Sequence, residues 1–291
     1  MSTEPLLQRV FVSTGSRHLL VDAPVATAPP ELWQVPPAPA AAYAARVALL
    51  RSGPVSAVAA AAAGDGWAHP LPWPGSTVAD DIRTGRGLPD AEVLRALGAL
   101  LAGVPDHLPT GDTEPPALVR VRARARELPG DLVGPVRDAL ELLADSARTA
   151  VHGQPALGHL VVPASGEPAR QAVLTWWVGG TSAPAGWDLG HLLGDLLELA
   201  MLVAPGAPGT AAGLLAGSRA VVAGHGGTPP WYQVEAAALL KVVDHRLRLA
   251  TLLGADSAPV RAADAVAATL LDSPLLASLR PTPSPDDPLE P

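Results

Sequence analysis

Two kinds of apolar pattern divide this chain unequally, and that division limits what it can fold into. Residues 9–13 and 18–22 alternate apolar and polar side chains on either side of Thr14-Gly15-Ser16-Arg17, the signature of a short antiparallel hairpin. Residues 24–39 carry many prolines and no helical period, so they read as loop or extended chain. Residues 40–51 read as a helix ended by Ser52-Gly53-Pro54, and residues 55–62 as another short strand. Residues 67–73 contain Pro70 and Pro72 and can supply an edge strand at best. From Gly75 onward the period becomes helical. Ser76 or Thr77 can accept from the first free amides of a helix, and Asp80 and Asp81 suit its positive end. Residues 90–104 are strongly periodic, and residues 135–147 form another helix with Pro135 in its first turn. Residues 187–203, 211–222, 231–253 and 262–271 make four more. A small strand-rich part followed by a larger helical one predicts an α+β fold. The proline-rich residues 281–291 suit neither regular element and are expected to be disordered.

Composition narrows the function classes. At 291 residues and 48% hydrophobic, the chain can bury a sizeable core around a cleft. It has no cysteine, which removes disulfides, thiolate metal sites and cysteine nucleophiles. Its first residues lack a basic and then apolar signal, so a cytoplasmic location is expected. The apolar stretch 192–204 is interrupted by Asp195 and Glu198 and is too short to span a bilayer, so no membrane role is expected. A net charge of −8 lacks the basic footprint of general nucleic-acid binding. Lys241 is the sole lysine; every other basic side chain, histidine aside, is arginine.

The residues that carry chemistry lie between 150 and 203. Ala150-Val-His152-Gly153-Gln154-Pro-Ala-Leu-Gly-His159-Leu-Val-Val is followed by Val173-Leu-Thr175-Trp176-Trp177-Val, and then by Gly186-Trp-Asp188-Leu. In order and spacing the segment resembles the active-site region of aminoglycoside phosphotransferase and choline-kinase-like proteins. There it reads roughly His-Gly-Asp, then Asn, then a strand ending in Asp-Trp/Phe-Glu, then a helix opening with Asp-Leu. The resemblance covers residues 67–253, with Leu71-Pro-Trp-Pro-Gly75 similar to the family's hinge, and is most specific across 150–203. It implies a protein-kinase-like two-lobe fold: a reduced β-rich N-lobe over 1–72, a mainly helical C-lobe over 73–280 and a tail over 281–291.

Phosphoryl transfer needs a carboxylate to orient the attacking hydroxyl and oxygen ligands to hold magnesium on the phosphates. Under the resemblance, Gln154 stands at the catalytic Asp and Thr175 at the metal-binding Asp. His159 stands at the second metal ligand, usually Asn. A neutral amide cannot take a proton near pH 7, and a hydroxyl is a poor sole anchor for a hard dication. The first 72 residues offer no lysine for the phosphates, the helix over 40–51 has no Glu to pair with one, and Thr14-Gly15-Ser16 is not a glycine-rich phosphate loop. His152 and Asp188 match the loop histidine and helix-start aspartate that brace each other and the loop. Asp188 is thereby occupied, and Asp195 lies almost two turns further on, so neither is expected to have taken over catalysis. The resemblance therefore implies a pseudokinase, a binding or scaffold/regulatory subunit for a protein or peptide partner or a small-molecule ligand, with no ATP or Mg²⁺ cofactor expected. The alternative is an unconventional ATP-dependent small-molecule or peptide phosphotransferase that uses ligands such as His159. A subunit of a peptide-modifying complex is a third reading.

Other motifs compete with bland explanations. Trp176 and Trp177 replace the family's Trp/Phe-Glu pair and either fill the space of magnesium and phosphate or belong to the core. Arg120, Arg122, Arg124 and Arg126 form i,i+4 pairs on a helix, either a solvated face or a site for an acidic partner or phosphate. His225-Gly-Gly is unaccompanied by a Gly-x-Ser-x-Gly, so a hydrolase is not indicated. Gly206-Ala-Pro-Gly-Thr reads as an interhelical loop, and the spacing of His152, His159 and His191 does not suggest zinc.

Overall fold

The computed structural model describes residues 7–14, 17–24, 40–63, 66–164, 170–176, 180–227 and 229–281. The centre of the expected hairpin turn, residues 25–39 of the proline-rich segment, Trp177 and residues 282–291 of the tail lie outside the described residues, as does the side chain of Trp176. The fold is α+β.

The first strands are β1 (Leu7–Thr14) and β2 (Arg17–Pro24), which pair antiparallel in the register expected of a hairpin. Then come α1 (Ala41–Val47), β3 (Arg51–Ser52), β4 (Val55–Ala59), β5 (Ala61–Ala63) and β6 (Gly66–Leu71). The expected helix over 40–51 is thus shorter at its C-terminal end, and Arg51 belongs to a strand. The single strand expected over 55–62 is broken at Ala60, because its two halves serve different sheets. One sheet has the order β1-β2-β6-β5. β6 is therefore an interior strand, not the edge strand that its prolines predict. The reason is local: β5 pairs only as far as Ala68, so at Pro70 the strand has a ladder partner on one side alone, where a residue without an N–H is tolerated.

The chain continues through β7 (Gly75–Thr77) into α2 (Val78–Arg83), whose N-cap is Thr77: its hydroxyl oxygen accepts from Asp80 N at 3.1 Å. α3 (Ala91–Ala102), α4 (Val104–His107), α5 (Pro116–Arg124) and α6 (Gly130–Ala144) follow. α6 starts five residues before the expected helix, so Pro135 lies inside it rather than in the first turn. Proline at that place removes one intrahelical bond, and it is half-buried while Leu132, Val136 and Ala139 of the same helix face the core.

β8 (Arg148–Ala150), β9 (Leu160–Pro163), β10 (Ala172–Trp176) and β11 (Ser182–Pro184) lead to α7 (Trp187–Val203), α8 (Pro208–His225), α9 (Trp231–Leu253) and α10 (Ala258–Asp272). The second sheet has the order β3-β4-β10-β9-β7, with β4 and β10 parallel and the rest antiparallel, so it draws strands from both sides of residues 72 and 73. β8 and β11 form a separate antiparallel pair that brings residues 150 and 182 together at the foot of α7.

α7 is the axis of the core. Trp187, Leu189, Leu192, Leu193, Leu196 and Leu197 are buried, each contributing about 1.5–3 kcal/mol by leaving water. α9 lies directly against it: a Cβ at Gly190 would sit 2.3 Å from Val234 O, so only glycine permits the approach. A smaller cluster of Leu20, Leu71, Val161 and Val173 joins the two larger sheets. No helix among the described residues is long and apolar enough to cross a membrane.

Candidate functional site

The loop from Val151 to Ala156 connects β8 to the short 3₁₀ turn Leu157–His159. Gly153 takes φ +94°, and a Cβ there would lie 2.8 Å from Thr181 Cγ2, so glycine is required twice over. This turn aims two successive amides at the start of α7. His152 N donates to Asp188 Oδ2 at 2.6 Å and Gly153 N to Asp188 Oδ1 at 2.9 Å. Asp188 stands in the first turn of α7, where the helix end also favours an acceptor. Trp187 Nε1 donates to Gly153 O at 2.8 Å, closing the same turn from its other side.

The ring of His152 is wired differently from its backbone. Gln154 N donates to its Nδ1 at 3.2 Å, so Nδ1 is an acceptor, and Nε2–H donates to Thr175 O at 3.0 Å. These bonds select the neutral Nε2–H tautomer. Burial pushes His152 down to about 3, against the pull of the Thr175 carbonyl, and His191 and His69 nearby push the same way. His152 and Asp188 thus brace the loop together without a ring-to-carboxylate bond: the carboxylate holds the main chain, and the ring ties the loop to β10.

Gln154 and Thr175 are 9% and 0% exposed, so the positions that the resemblance assigns to the two acids are closed in the fold. The Thr175 hydroxyl donates to His159 O at 3.1 Å. His159 in turn donates from Nδ1 to Gln154 O at 2.6 Å and stacks on His152, ring centroids 6.1 Å apart. The structure therefore brings Gln154, His159 and Thr175 into one hydrogen-bonded chain beside His152.

Burial pushes Asp188 up to about 7 against the two amide donors. Sequence reasoning named His191, Asp195, Glu198 and Lys241 singly but missed that they meet one another and the loop. His191 donates from Nδ1 to Pro155 O at 3.0 Å, and burial pushes it down to about 4. Asp195 accepts from Leu157 N at 2.8 Å, and Lys241 pairs with both Asp195, at 2.6 Å, and Glu198, at 2.5 Å. Burial pushes Asp195 up, but the Lys241 ammonium outweighs it and holds it at about 2. The signal was available: two acids interrupt an apolar helix, and the chain's one lysine falls inside another.

The arginine run is divided: Arg122 and Arg126 are exposed, Arg124 is half-buried and Arg120 is buried. Arg120 makes a buried two-point pair with Asp244, at 2.7 and 2.8 Å. Arg122 pairs back with Glu114, just before α5, and Arg124 pairs forward with Glu127, in the turn after α5 ends. His225-Gly-Gly ends α8, with Gly226 at φ +60° as its left-handed C-cap. Among the described residues no cluster of three or more His, Cys, Asp or Glu is placed to hold a metal ion.

No protein-family model matches the chain, and no curated protein matches it significantly in sequence.

Proposed function

We propose that this chain has a kinase-like two-lobe fold related to the aminoglycoside phosphotransferase and choline-kinase-like proteins, and that it works as a catalytically inactive binding or scaffold subunit. Residues 1–72 correspond to the reduced N-lobe and 73–280 to the helical C-lobe, and the lack of cysteine suits a cytoplasmic setting. The observation that carries the reading is Thr175: it is fully buried, and its hydroxyl is committed to the His159 carbonyl. A metal-binding acid at this place would have to face the nucleotide, whereas Thr175 joins two segments of the fold. Gln154, nearly as buried, removes the general base, a loss worth on the order of 10²–10⁴ in rate. The Asp188 brace supports the same reading, since it fixes the loop without needing either acid. A protein or peptide is the favoured partner, and a small molecule in the former cleft is the other ligand the reading allows.

The test is calorimetric titration of the purified chain with ATP, with and without magnesium, followed by partner capture. No heat of binding in either titration is the expected result. Magnesium-dependent binding in the micromolar range, with transfer of labelled phosphate to a hydroxylated acceptor, overturns the proposal in favour of an unconventional phosphotransferase.

A further inference from the structure

The two larger sheets end in strands of very unequal length. β3, β5 and β7 form three of their four edges and have two, three and three residues. β1, the fourth edge, has eight. It pairs with β2 through all of them, from Leu7↔Pro24 to Thr14↔Arg17, in one unbroken register. Along an antiparallel strand alternate residues turn their N–H and C=O groups to opposite sides. Half of the β1 backbone groups therefore point away from β2, and among the described residues no strand pairs with that side. Long edges are ordinarily blunted by proline, lysine or a bulge. Residues 7–14 contain no proline and no lysine, the register contains no bulge, and Val10-Phe11-Val12 are strong strand formers.

We propose that β1 is a dimerisation edge, which takes the β1 strand of a second copy of this chain in antiparallel register and joins the two β1-β2-β6-β5 sheets into one. The same strand of a second copy can return as many main-chain bonds as it receives, whereas an edge of two or three residues cannot. A two-fold axis normal to the sheet sets the register, because residues opposite one another must share a face. The axis therefore passes through a residue, not between two. Centred on Phe11, it pairs residues 8–14 of each copy: Phe11 meets Phe11, Val10 meets Val12 and Arg9 meets Ser13. An aromatic pair flanked by two apolar pairs then lies at the middle. Phe11 is the chain's one phenylalanine and is half-buried against the cluster of Leu20, Leu71, Val161 and Val173. The net charge of −8 does not oppose this approach, since β1 carries a single charge, that of Arg9, which falls opposite Ser13. The inference holds independently of what the loop at Gln154 does.

The test is sedimentation of the full chain over a wide concentration range, combined with single-cysteine variants, which the absence of native cysteine makes unambiguous. A reversible dimer is expected. Val10→Cys and Val12→Cys chains, mixed, should form an inter-chain disulfide, since directly opposed residues lie about 4.5–5.5 Å apart at Cα. Either variant by itself should not, because in this register copies of the same residue lie about 8 Å apart, beyond disulfide reach. Val10→Lys should raise the dimer dissociation constant about tenfold by spoiling both apolar pairs. A monomer at every concentration overturns the proposal, even one that captures an extended peptide, since the edge would then serve another occupant. A dimer whose mixed cysteine chains fail to cross-link meets through a different surface and overturns it too.

Discussion

Asp188 offers the sharpest test of how the loop is held, because its two oxygens do separable work. In Asp188→Ala both His152 N and Gly153 N lose a buried acceptor. At about 1–3 kcal/mol for each amide left unpaired, the cost is about 2–6 kcal/mol. Asp188→Asn keeps one carbonyl oxygen and turns an NH₂ toward the other amide, so about half of that loss is expected. The pH dependence then tells the charge from the bonds. Asp188 is pushed up to about 7 from an unfolded value near 3.8. A raised folded value contributes stability that is fully present below about pH 4 and is lost as pH rises through about 7. Asparagine cannot titrate, so the wild-type advantage over Asp188→Asn should narrow with rising pH, by about 1.4 kcal/mol per pH unit between pH 4 and 7. Above pH 8 it should be flat. Urea denaturation of the wild type and both variants at half-unit steps from pH 4.5 to 8.5 measures it. An advantage that widens with rising pH would mean that the two amides hold the carboxylate ionised, and the burial argument would be wrong. Equal losses in Asn and Ala would refute the counting of amide bonds.

Three further perturbations follow from the same contacts. Thr175→Val should cost about 1 kcal/mol for one lost hydrogen bond, while Thr175→Asp should cost several times more because it buries a carboxylate; the two are compared by urea midpoint. Arg120→Met should destabilise by about 3–5 kcal/mol by stranding Asp244, and adding Asp244→Leu should recover most of it, although Arg248 also approaches that carboxylate. Lys241→Met should lose a similar amount at pH 7. The lost term for Asp195, held at about 2 against 3.8 unfolded, is present above pH 4 and vanishes as pH falls toward 2, so the deficit should shrink by about 2 kcal/mol in acid.

Much of the architecture was legible because α7 and α9 carry uninterrupted helical periods between strong punctuators, and both span the residues expected of them. The hairpin of β1 and β2 was legible for the same reason at period two. What failed were features decided by neighbours. Pro135 sits inside α6 because Gly130 to Gly134 can precede it in a helix packed on the core, and β6 is interior because β5 is too short to reach Pro70. Arg120 shares its charge and spacing with Arg122 and Arg124. Only the approach of α9 makes it a buried partner of Asp244, and a sequence carries no sign of that approach. At the candidate site the resemblance singled out His152, Gln154, His159, Thr175 and Asp188, which the fold does bring close together, whereas the way Asp188 acts was not legible: its bonds go to two backbone amides, which every residue possesses.

Gln154, His159 and Thr175 are also not independent of one another. Thr175 donates to the carbonyl of His159, and His159 donates to the carbonyl of Gln154, so the chain of bonds runs in one direction. A carboxylate at 175 would oppose a carbonyl oxygen, acceptor against acceptor, inside a fully buried space. It would gain a partner only if the His159 segment moved, and that movement would break the bond that holds Gln154 and disturb the ring stacked on His152. An acid at 175 therefore costs stability before it could do any chemistry. The bonds that close this space oppose a carboxylate there through the whole segment from Gln154 to His159, not through Thr175 alone.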